Sequence, residues 1–388
     1  MSAAVGNDVA AGAGAGAIAP ARFSVAIRTA VPAWLLSRVL VVATLAATRA
    51  WFDDATGEPR EVLRRGLRSW DAAYYVDISR DGYDAVVPGG LRFFPLLPLL
   101  GRAVGAFTPF DASDGVVIVA NAVALAALVA LFRWVSFEVD EATARVAVWV
   151  TAVAPPAFVL VMGYAESLLM LAAASCLLAA RRGRWFHAAA WAYVAGLARP
   201  TGLLLVVPLL VEAALVARRR GVGRHTVAAL VAVGGAPLGC LTYLFSVRGL
   251  TPTFFTPLRL HDDPALRGGT RNPLAAVVDS FGDLMSGDRF ASGIHFVTAL
   301  IVVVLLVVLF RHAPRSVFAY GAASVMLGLS AHNLDSLERY SLATPPLVLG
   351  AALLIARLRR AWRTTVLVGS ALGLVALGSA AFAGNVVP

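Results

Sequence analysis

Apolar runs close to the thickness of a lipid bilayer recur along almost the whole chain. A helix that crosses the roughly 30 Å hydrocarbon core needs about 20 consecutive, mainly apolar residues. Runs of this kind lie at about 31–51, 116–135, 145–163, 167–181, 185–199, 202–217, 226–247, 294–311, 316–332, 341–357 and 364–384. Backbone polar groups inside a bilayer must be satisfied within the segment, so such runs form helices. The pattern predicts an all-α polytopic membrane protein with about 11 transmembrane helices.

Two longer polar interruptions, 52–115 and 248–293, separate these runs and are predicted as loops on one side of the bundle. The first loop contains the apolar stretch Phe93–Phe107, which could be counted as a further span. We interpret it as an interfacial or re-entrant segment, because Pro95 and Pro98 interrupt a continuous crossing. Counting it as a span would also move every later arginine cluster to the opposite side of the membrane.

Basic residues give the predicted orientation. All 33 of them are arginine, and most lie at the ends of the apolar runs, as expected for cytoplasmic turns. With the N-terminus in the cytoplasm, the arginines of the cytoplasmic turns are Arg133, Arg145, Arg181, Arg182, Arg184, Arg218, Arg219, Arg220, Arg224, Arg311, Arg315, Arg357, Arg359, Arg360 and Arg363. The short turns on the other side contain only Arg199 and Arg339.

The composition agrees with this class of protein. Hydrophobic residues make up 59% of the chain and charged residues 14%, with a mean hydropathy of +0.77, whereas soluble domains carry about 25% charged residues. The net charge of +10 lies at helix ends, so membrane lipids and not nucleic acids are the expected partners. We expect a disordered cytoplasmic tail over 1–30, with no cleavable signal pattern, and a single transmembrane domain over 31–388. Cys176 and Cys240 lie inside apolar runs and are expected to be small buried side chains.

The first loop contains a segment, Trp70–Leu100, in which acidic and aromatic residues are concentrated. Asp71 follows Trp70 directly, and Tyr74 and Tyr75 come one helical turn later. A carboxylate beside an aromatic ring suits sugar chemistry, because the ring packs on the sugar while the carboxylate removes a hydroxyl proton. The alternative is an amphipathic helix at the membrane surface. Both interpretations stay open for Asp71. The surface helix is favoured for the remaining acids, Asp77, Asp81 and Asp84.

Two short turns on the same side also carry charge between apolar runs. Glu166, next to Tyr164, either caps the helix that follows or contacts a ligand. Arg199 stands before Pro200 and Gly202, and either extends toward the interface or binds a phosphate through its guanidinium. We favour phosphate binding for Arg199 and leave both interpretations open for Glu166.

A third short turn carries the other isolated arginine of that side. Arg339 lies between Glu338 and Tyr340, and a solvated Glu338–Arg339 ion pair would contribute little stability. If the bundle closes, Arg339 and Arg199 would flank one cavity. His332, at the start of the same turn, is either a helix-end residue or a phosphate contact.

Four stretches together resemble the PIG-V family, which contains the second mannosyltransferase of GPI-anchor assembly and its bacterial relatives. They are WDAAYYVDISRDGY…FFPLLPLL, APPAFVLVMGYAESL, ARPTGLL and ERYSLATPPL, and they follow the order and spacing of the family from about residue 70 to 346. The family belongs to the GT-C class of membrane glycosyltransferases. The resemblance therefore implies a GT-C-like bundle with a helical first outer loop.

The resemblance also implies a donor, polyprenyl phosphate mannose, used on the non-cytoplasmic face of the cell inner membrane or plasma membrane. It places the catalytic base of the first outer loop at Asp71. Expected donor-phosphate contacts are Arg199, Arg339 and His332. Expected substrate-binding residues are Trp70, Tyr74, Tyr75, Tyr164, Glu166 and Tyr340. The chain departs from the family at Ala154–Pro155 and Pro200–Thr201, so the acceptor is left open as a glycolipid or another glycan.

The leading hypothesis is an inverting mannosyl transfer that requires no metal or other cofactor, because phosphate is already an activated leaving group. The run His261–Asp263 is expected to be a turn and not a metal site. The alternatives are a lipid or glycolipid flippase or transporter, a non-catalytic scaffold subunit, and a GT-C enzyme that uses another lipid-phosphate sugar. The chain shows no internal repeat of the kind that transporters often carry.

Overall fold

A computed structural model describes residues 23–56, 61–263, 268–286, 290–331, 334 and 336–387. This described part is helical, and its β-type pairing is limited to one isolated bridge between Thr270 and Ala331. The first helices in chain order are α1 (Phe23–Thr56), α2 (Glu61–Arg65), α3 (Asp71–Asp81), α4 (Leu96–Phe107), α5 (Ala112–Glu138), α6 (Glu141–Val153), α7 (Glu166–Arg181), α8 (Trp185–Ala198) and α9 (Val206–Arg220). They are followed by α10 (Arg224–Val233), α11 (Gly235–Ser246), α12 (Thr256–Arg259), α13 (Pro273–Ser286), α14 (Phe290–His312), α15 (Arg315–Leu329), α16 (Leu337–Leu342), α17 (Pro345–Ala356) and α18 (Arg360–Phe382).

The predicted fold class is confirmed, because the described chain is a bundle of apolar helices. Each predicted apolar run coincides with one or two of these helices. Within the described ranges, six helical stretches are long and apolar enough to cross a membrane individually. They are Phe23–Phe52, Ala112–Glu138, Pro200–Arg220, Arg224–Ser246, Gly293–His312 and Arg360–Phe382. The first helix begins at Phe23, so residues 23–30 belong to α1 and not to the predicted tail. The rest of that tail, 1–22, lies outside the described residues.

Prolines and glycines break several predicted spans at positions that matter for the site. Helix α6 ends at Val153, and a 3₁₀ segment, Pro155–Leu160, continues the chain. A second 3₁₀ segment, Pro200–Leu205, precedes α9. Proline lacks a backbone N–H and clashes with the preceding helical turn, so it ends an α-helix and leaves irregular backbone there. Irregular backbone at this depth is tolerated where it lines a cavity.

Helix α4 covers most of the stretch Phe93–Phe107 that we interpret as interfacial or re-entrant. It has 12 residues, which gives a length of about 18 Å, too short to cross the roughly 30 Å hydrocarbon core. A four-residue turn, 108–111, connects it to α5, and the two helices pack against each other. Helix α4 therefore packs between α5 and α3 and supports the first loop.

Small residues allow the central helices to approach closely. A Cβ atom at Gly196 of α8 would lie 2.1 Å from the Ala236 carbonyl oxygen of α11, and one at Gly239 of α11 would lie 2.2 Å from the Tyr193 carbonyl oxygen. Close backbone contact through small residues is the usual way in which membrane helices associate. The end of α8, which carries Arg199, is thereby held firmly against α11.

At the end of the bundle where α7 and α9 terminate, buried charges connect four helices. Arg181 of α7 contacts Glu138 of α5 at 3.0 Å and Glu212 of α9 at 3.4 Å. The hydroxyl of Ser316 in α15 donates a hydrogen bond of 2.5 Å to Glu212. We call this the arginine end, because α9 also finishes there with Arg218–Arg220. The opposite end, which carries α2 to α4 and the start of α7, is called the loop end.

Candidate active site

Four charged side chains from four separate elements meet at the loop end. Asp71 is the first residue of α3, Glu166 is the first residue of α7, Arg199 directly follows α8, and Arg339 lies in α16. Nη1 of Arg339 donates a hydrogen bond of 2.7 Å to Oδ2 of Asp71. Nε of Arg339 lies 3.0 Å from Oε1 of Glu166, which also forms an ion pair with Nη1 of Arg199. We call these four residues the charge cluster.

Burial differs sharply within the charge cluster. The side chains of Glu166, Arg339 and Arg199 are only 1%, 5% and 10% exposed, whereas that of Asp71 is 27% exposed. Burying an ion is costly unless an opposite charge accompanies it, and here two carboxylates match two guanidinium groups. Asp71 is therefore the member that can meet a substrate without prior rearrangement of the cluster.

The local fold explains the ionisation of Asp71. As the first residue of α3, it benefits from the partial positive charge of a helix N-terminus. Burial alone would raise its pKa, but the charge and hydrogen bond of Arg339, with further attraction from Arg92 and Arg199, hold the pKa of Asp71 below its ordinary value. Asp71 is consequently a carboxylate at neutral pH.

Trp70 positions Asp71 from the preceding residue. Its backbone has φ 57°, a region that non-glycine residues rarely adopt, and its indole N–H donates a hydrogen bond of 3.1 Å to the Ala381 carbonyl oxygen in α18. The start of α3 is thereby fixed to the last helix of the bundle. This contact gives Trp70 an anchoring function, and the predicted packing of its ring on a sugar stays a prediction.

Close backbone packing positions Arg199. Helix α8 ends at Ala198, Arg199 is extended (φ −159°), and the Pro200–Leu205 segment turns back along the helix. A Cβ atom at Gly202 would lie 2.1 Å from the Ala195 carbonyl oxygen, so only glycine fits this return. The Arg199 side chain is consequently directed into the bundle, toward Glu166.

Two tyrosines enclose the guanidinium groups. The Tyr340 ring lies 5.3 Å from the guanidinium carbon of Arg199 and 5.2 Å from that of Arg339. The Tyr164 ring lies 5.2 Å from the Arg339 guanidinium carbon. Such contacts stabilise a cation that is removed from water. Among the described residues, the buried Ser167 hydroxyl beside Glu166 has no hydrogen-bond partner, and a substrate hydroxyl would satisfy such a group.

The other aromatic residues of α3 pack against the segment that follows it. Tyr74 stacks on Phe93 with ring centroids 4.6 Å apart, and Tyr75 meets the edge of the same ring at 5.2 Å. The guanidinium carbon of Arg92 lies 5.0 Å from the Phe93 ring and 5.6 Å from the Tyr74 ring. Arg92 is a charged residue of the site that our sequence analysis missed.

The remaining acids of α3 are separate from the charge cluster. Asp81 and Asp77 lie 2.7 Å and 3.8 Å from the guanidinium of Arg80, and all three side chains are exposed. This is the solvated helix surface that the sequence analysis favoured for them. His332 lies outside the described residues, so its position relative to the charge cluster is not described.

Two cavities lie beside α16, and the smaller of them reaches the charge cluster at Arg199. The larger one, of about 730 Å³, is almost entirely apolar; it runs along α14 and α17, and Glu338 and Ser341 form its polar end. The smaller one, of about 350 Å³, is lined by Arg199 and Tyr340 together with leucines and hydroxyl groups. Amphiphilic molecules fit such spaces, because the chain can lie in the apolar part and the head group at the charges.

Glu338 and Arg339 do not form the solvated ion pair that was one interpretation of their sequence. Arg339 instead bonds to Asp71, and Glu338 contacts Nδ1 of His295 in α14 at 2.9 Å. His295 is 4% exposed. The sequence analysis missed it, although an ionisable residue inside an apolar run is a signal of an internal polar partner. Within the described ranges, no three His, Cys, Asp or Glu side chains are grouped so that they could hold a metal ion.

No protein-family profile matches the chain, and neither does any curated protein. Among solved structures, the chain is similar to ArnT from Cupriavidus metallidurans bound to undecaprenyl phosphate, with a TM-score of 0.53 and 16% identity over 86% of this chain. The chain has a GT-C-like fold. It spans 62% of the length of that ArnT chain.

Two structures of the oligosaccharyltransferase of Archaeoglobus fulgidus are more distant. The one in complex with zinc and sulfate has a TM-score of 0.44 and 14% identity, over 88% of this chain and 53% of that one. The one tethered to an acceptor peptide has a TM-score of 0.42 and 12% identity, over 89% of this chain and 55% of that one. At such low identity these likenesses concern the fold alone.

Proposed function

We propose that the protein is a membrane glycosyltransferase that moves a sugar, mannose, from polyprenyl phosphate mannose to a lipid-linked or glycan acceptor. The observation that carries the proposal is the charge cluster. A partly exposed carboxylate and two buried guanidinium groups stand beside a cavity that Arg199 lines, and a larger apolar cavity lies along α14 and α17 with Glu338 at its polar end, within a GT-C-like bundle. A lipid-phosphate sugar needs this combination of an apolar groove, cations for its phosphate and a base for the acceptor.

In the proposed reaction, Asp71 accepts the proton of the acceptor hydroxyl, and the hydroxyl oxygen attacks the anomeric carbon. The bond between that carbon and the phosphate oxygen breaks, and its electron pair leaves with the polyprenyl phosphate. Because attack and departure occur on opposite sides, a β-linked donor gives an α-glycoside. General-base assistance of this kind contributes roughly 10²- to 10⁴-fold in rate.

The other members of the charge cluster have supporting functions in this proposal. Arg199 and Arg339 donate hydrogen bonds to the donor phosphate, although each already neutralises a carboxylate. Glu166 fixes both arginines and, with Tyr164 and Tyr340, contacts sugar hydroxyls. The contacts of both tyrosine rings with the Arg339 guanidinium support that assignment.

We place the reaction on the non-cytoplasmic face of the cell inner membrane or plasma membrane. The support is the charge distribution, because the loop end lies opposite the arginine end. A relationship to the PIG-V family is part of the proposal and rests on the sequence stretches that resemble it.

The test uses purified protein in lipid nanodiscs with radiolabelled polyprenyl phosphate mannose and a membrane lipid extract as acceptor. We expect a new labelled glycoside with the wild type and a loss of roughly 10²- to 10⁴-fold with Asp71→Asn. Asp81→Asn, which alters an exposed acid of the same helix, is the matched control and should retain full activity.

Undiminished transfer by Asp71→Asn would remove Asp71 from the mechanism. Transfer from polyprenyl phosphate glucose or arabinose, but not from the mannose donor, would correct the sugar. Movement of the lipid across the membrane without a new glycoside would indicate a flippase.

A further inference from the structure

Arg92 lies beside the charge cluster, with its guanidinium packed on two aromatic rings. It is the last residue of a 3₁₀ segment, Gly89–Arg92, directly before Phe93. Its guanidinium lies against the stacked rings of Tyr74 and Phe93. Tyr74 follows Asp71 by three residues on α3, so it stands one helical turn from the carboxylate. Arg92 is therefore held by an aromatic pair whose Tyr74 lies one helical turn from Asp71.

The charge of Arg92 is not compensated by a carboxylate. Within the charge cluster the ions cancel, because Arg339 pairs with Asp71 and Glu166 and Arg199 pairs with Glu166. In the part of the chain that the structure describes, Arg92 forms no ion pair, and its buried Nε atom has no hydrogen-bond acceptor. A half-buried guanidinium without an acceptor can accommodate an incoming anion without first releasing a partner.

The geometry of an inverting transfer also separates the base from the leaving group. The base lies about 2.6–3.2 Å from the acceptor oxygen, and that oxygen approaches the anomeric carbon at about 3–3.5 Å. The departing phosphate oxygen is then on the order of 5–7 Å from the Asp71 carboxylate. Arg339 is in direct contact with Asp71, whereas Arg92 lies beyond ion-pair distance, yet its charge still acts on Asp71.

We propose that Arg92 is a further binding residue of this site, and that its guanidinium binds an oxygen of the phosphate in a lipid-linked substrate beside Asp71. The inference rests on the proposed function, because it assigns the phosphate to a transfer reaction at Asp71. The phosphate is either that of the sugar donor or an anionic group of the acceptor, since both present the same chemistry to a guanidinium. Packing of Arg92 on the two rings alone is the competing explanation.

The experiment measures binding and not turnover, with the full-length protein in nanodiscs. The probe is undecaprenyl phosphate, and undecaprenol, which has the same chain without the charge, is the ligand control. Arg92→Gln should weaken binding of undecaprenyl phosphate roughly 10- to 100-fold and leave undecaprenol binding unchanged. Arg248→Gln is the matched control, because Arg248 is an exposed arginine that lies 5.9 Å from the Phe245 ring; it should bind both lipids as the wild type does.

Two further variants separate the effect of the Arg92 charge from the effect of its packing on the rings. They also keep the proposal testable if Arg92→Gln does not fold. Arg92→Lys keeps the charge and should bind undecaprenyl phosphate within about 10-fold of the wild type, whereas Arg92→Met keeps the apolar stem and should lose the affinity. Equal affinity of the lysine and methionine variants, or of the glutamine variant and the wild type, would overturn the proposal.

The source of the phosphate follows from the kinetics of Arg92→Lys. A higher KM for the donor alone assigns the phosphate to the donor, and a higher KM for the acceptor alone assigns it to the acceptor. The binding result is independent of these assays. If the wild type transfers no sugar, the proposed function fails although the binding result stands; if it transfers sugar and Arg92→Gln binds the probe normally, only the present inference fails.

Discussion

Replacement of Glu166 by glutamine tests the charge cluster most directly. Glu166 is 1% exposed and is the carboxylate that contacts both buried arginines. In Glu166→Gln, Arg339 keeps its hydrogen bond to Asp71, but Arg199 loses its ion pair in the described part of the chain. Removing one partner of a buried pair leaves an uncompensated charge and typically costs about 3–5 kcal/mol. We expect the free energy of unfolding to fall by about that amount.

A second substitution separates this effect from a simple loss of packing. Arg199→Gln in the Glu166→Gln background removes the stranded charge, so the double variant should be more stable than the sum of the single effects by about 1–3 kcal/mol. The assay is unfolding of the purified protein in mixed micelles by titration with a denaturing detergent, followed by circular dichroism. All four proteins of the cycle are measured under identical conditions.

An exposed pair provides the control. Glu141 and Arg145 lie 3.1 Å apart with side chains 45% and 52% exposed, so Glu141→Gln should cost less than about 1 kcal/mol. If Glu166→Gln is no more destabilising than Glu141→Gln, or if the two substitutions at Glu166 and Arg199 are simply additive, the buried pairing does not exist as described.

Two further predictions concern the backbone and the pH dependence. Gly202→Ala should abolish folding, because its Cβ would lie 2.1 Å from the Ala195 carbonyl oxygen. Gly369→Ala, where nothing lies within 4 Å, should be neutral in the same detergent-unfolding assay. Arg339→Gln should move the acidic limb of the pH–rate profile to higher pH. Arg339 lowers the pKa of Asp71 while burial opposes ionisation, so loss of the arginine raises that pKa and protonates the base at a higher pH. An acidic limb at unchanged pH in the residual activity of Arg339→Gln would show that Asp71 is not the titrating base.

Much of the local structure follows from the sequence alone. Apolar runs of bilayer length predict helices because a bilayer leaves the backbone no other way to satisfy its polar groups. The prolines at 155, 156 and 200 mark positions where α-helix gives way to 3₁₀ turns, whereas the apolar pattern alone predicts unbroken spans over 145–163 and 202–217. The surface helix that the sequence favoured for Asp77 and Asp81 agrees with their exposed side chains beside Arg80.

The partners of the charged residues could not be obtained in this way. Arg339 bonds to Asp71 across 268 positions of sequence, and its neighbour Glu338 bonds to His295 in another helix. Adjacent residues in a short helix point in different directions, and only the packing of α16 between two cavities decides which partner each one meets. For the same reason Arg92 was overlooked, because its importance depends on which carboxylates are already paired.

Hydropathy, proline positions and the placement of arginines are properties of the chain itself, and they determined the class of protein, the helices and the end of the bundle that carries isolated charge. The tertiary structure decided which charges neutralise one another, which carboxylate of the charge cluster is left accessible and that Arg92, beside it, forms no ion pair within the described residues. The physical reason is that helix formation in an apolar medium is governed by local backbone hydrogen bonding, whereas ion pairing depends on the distances between side chains from helices far apart in sequence.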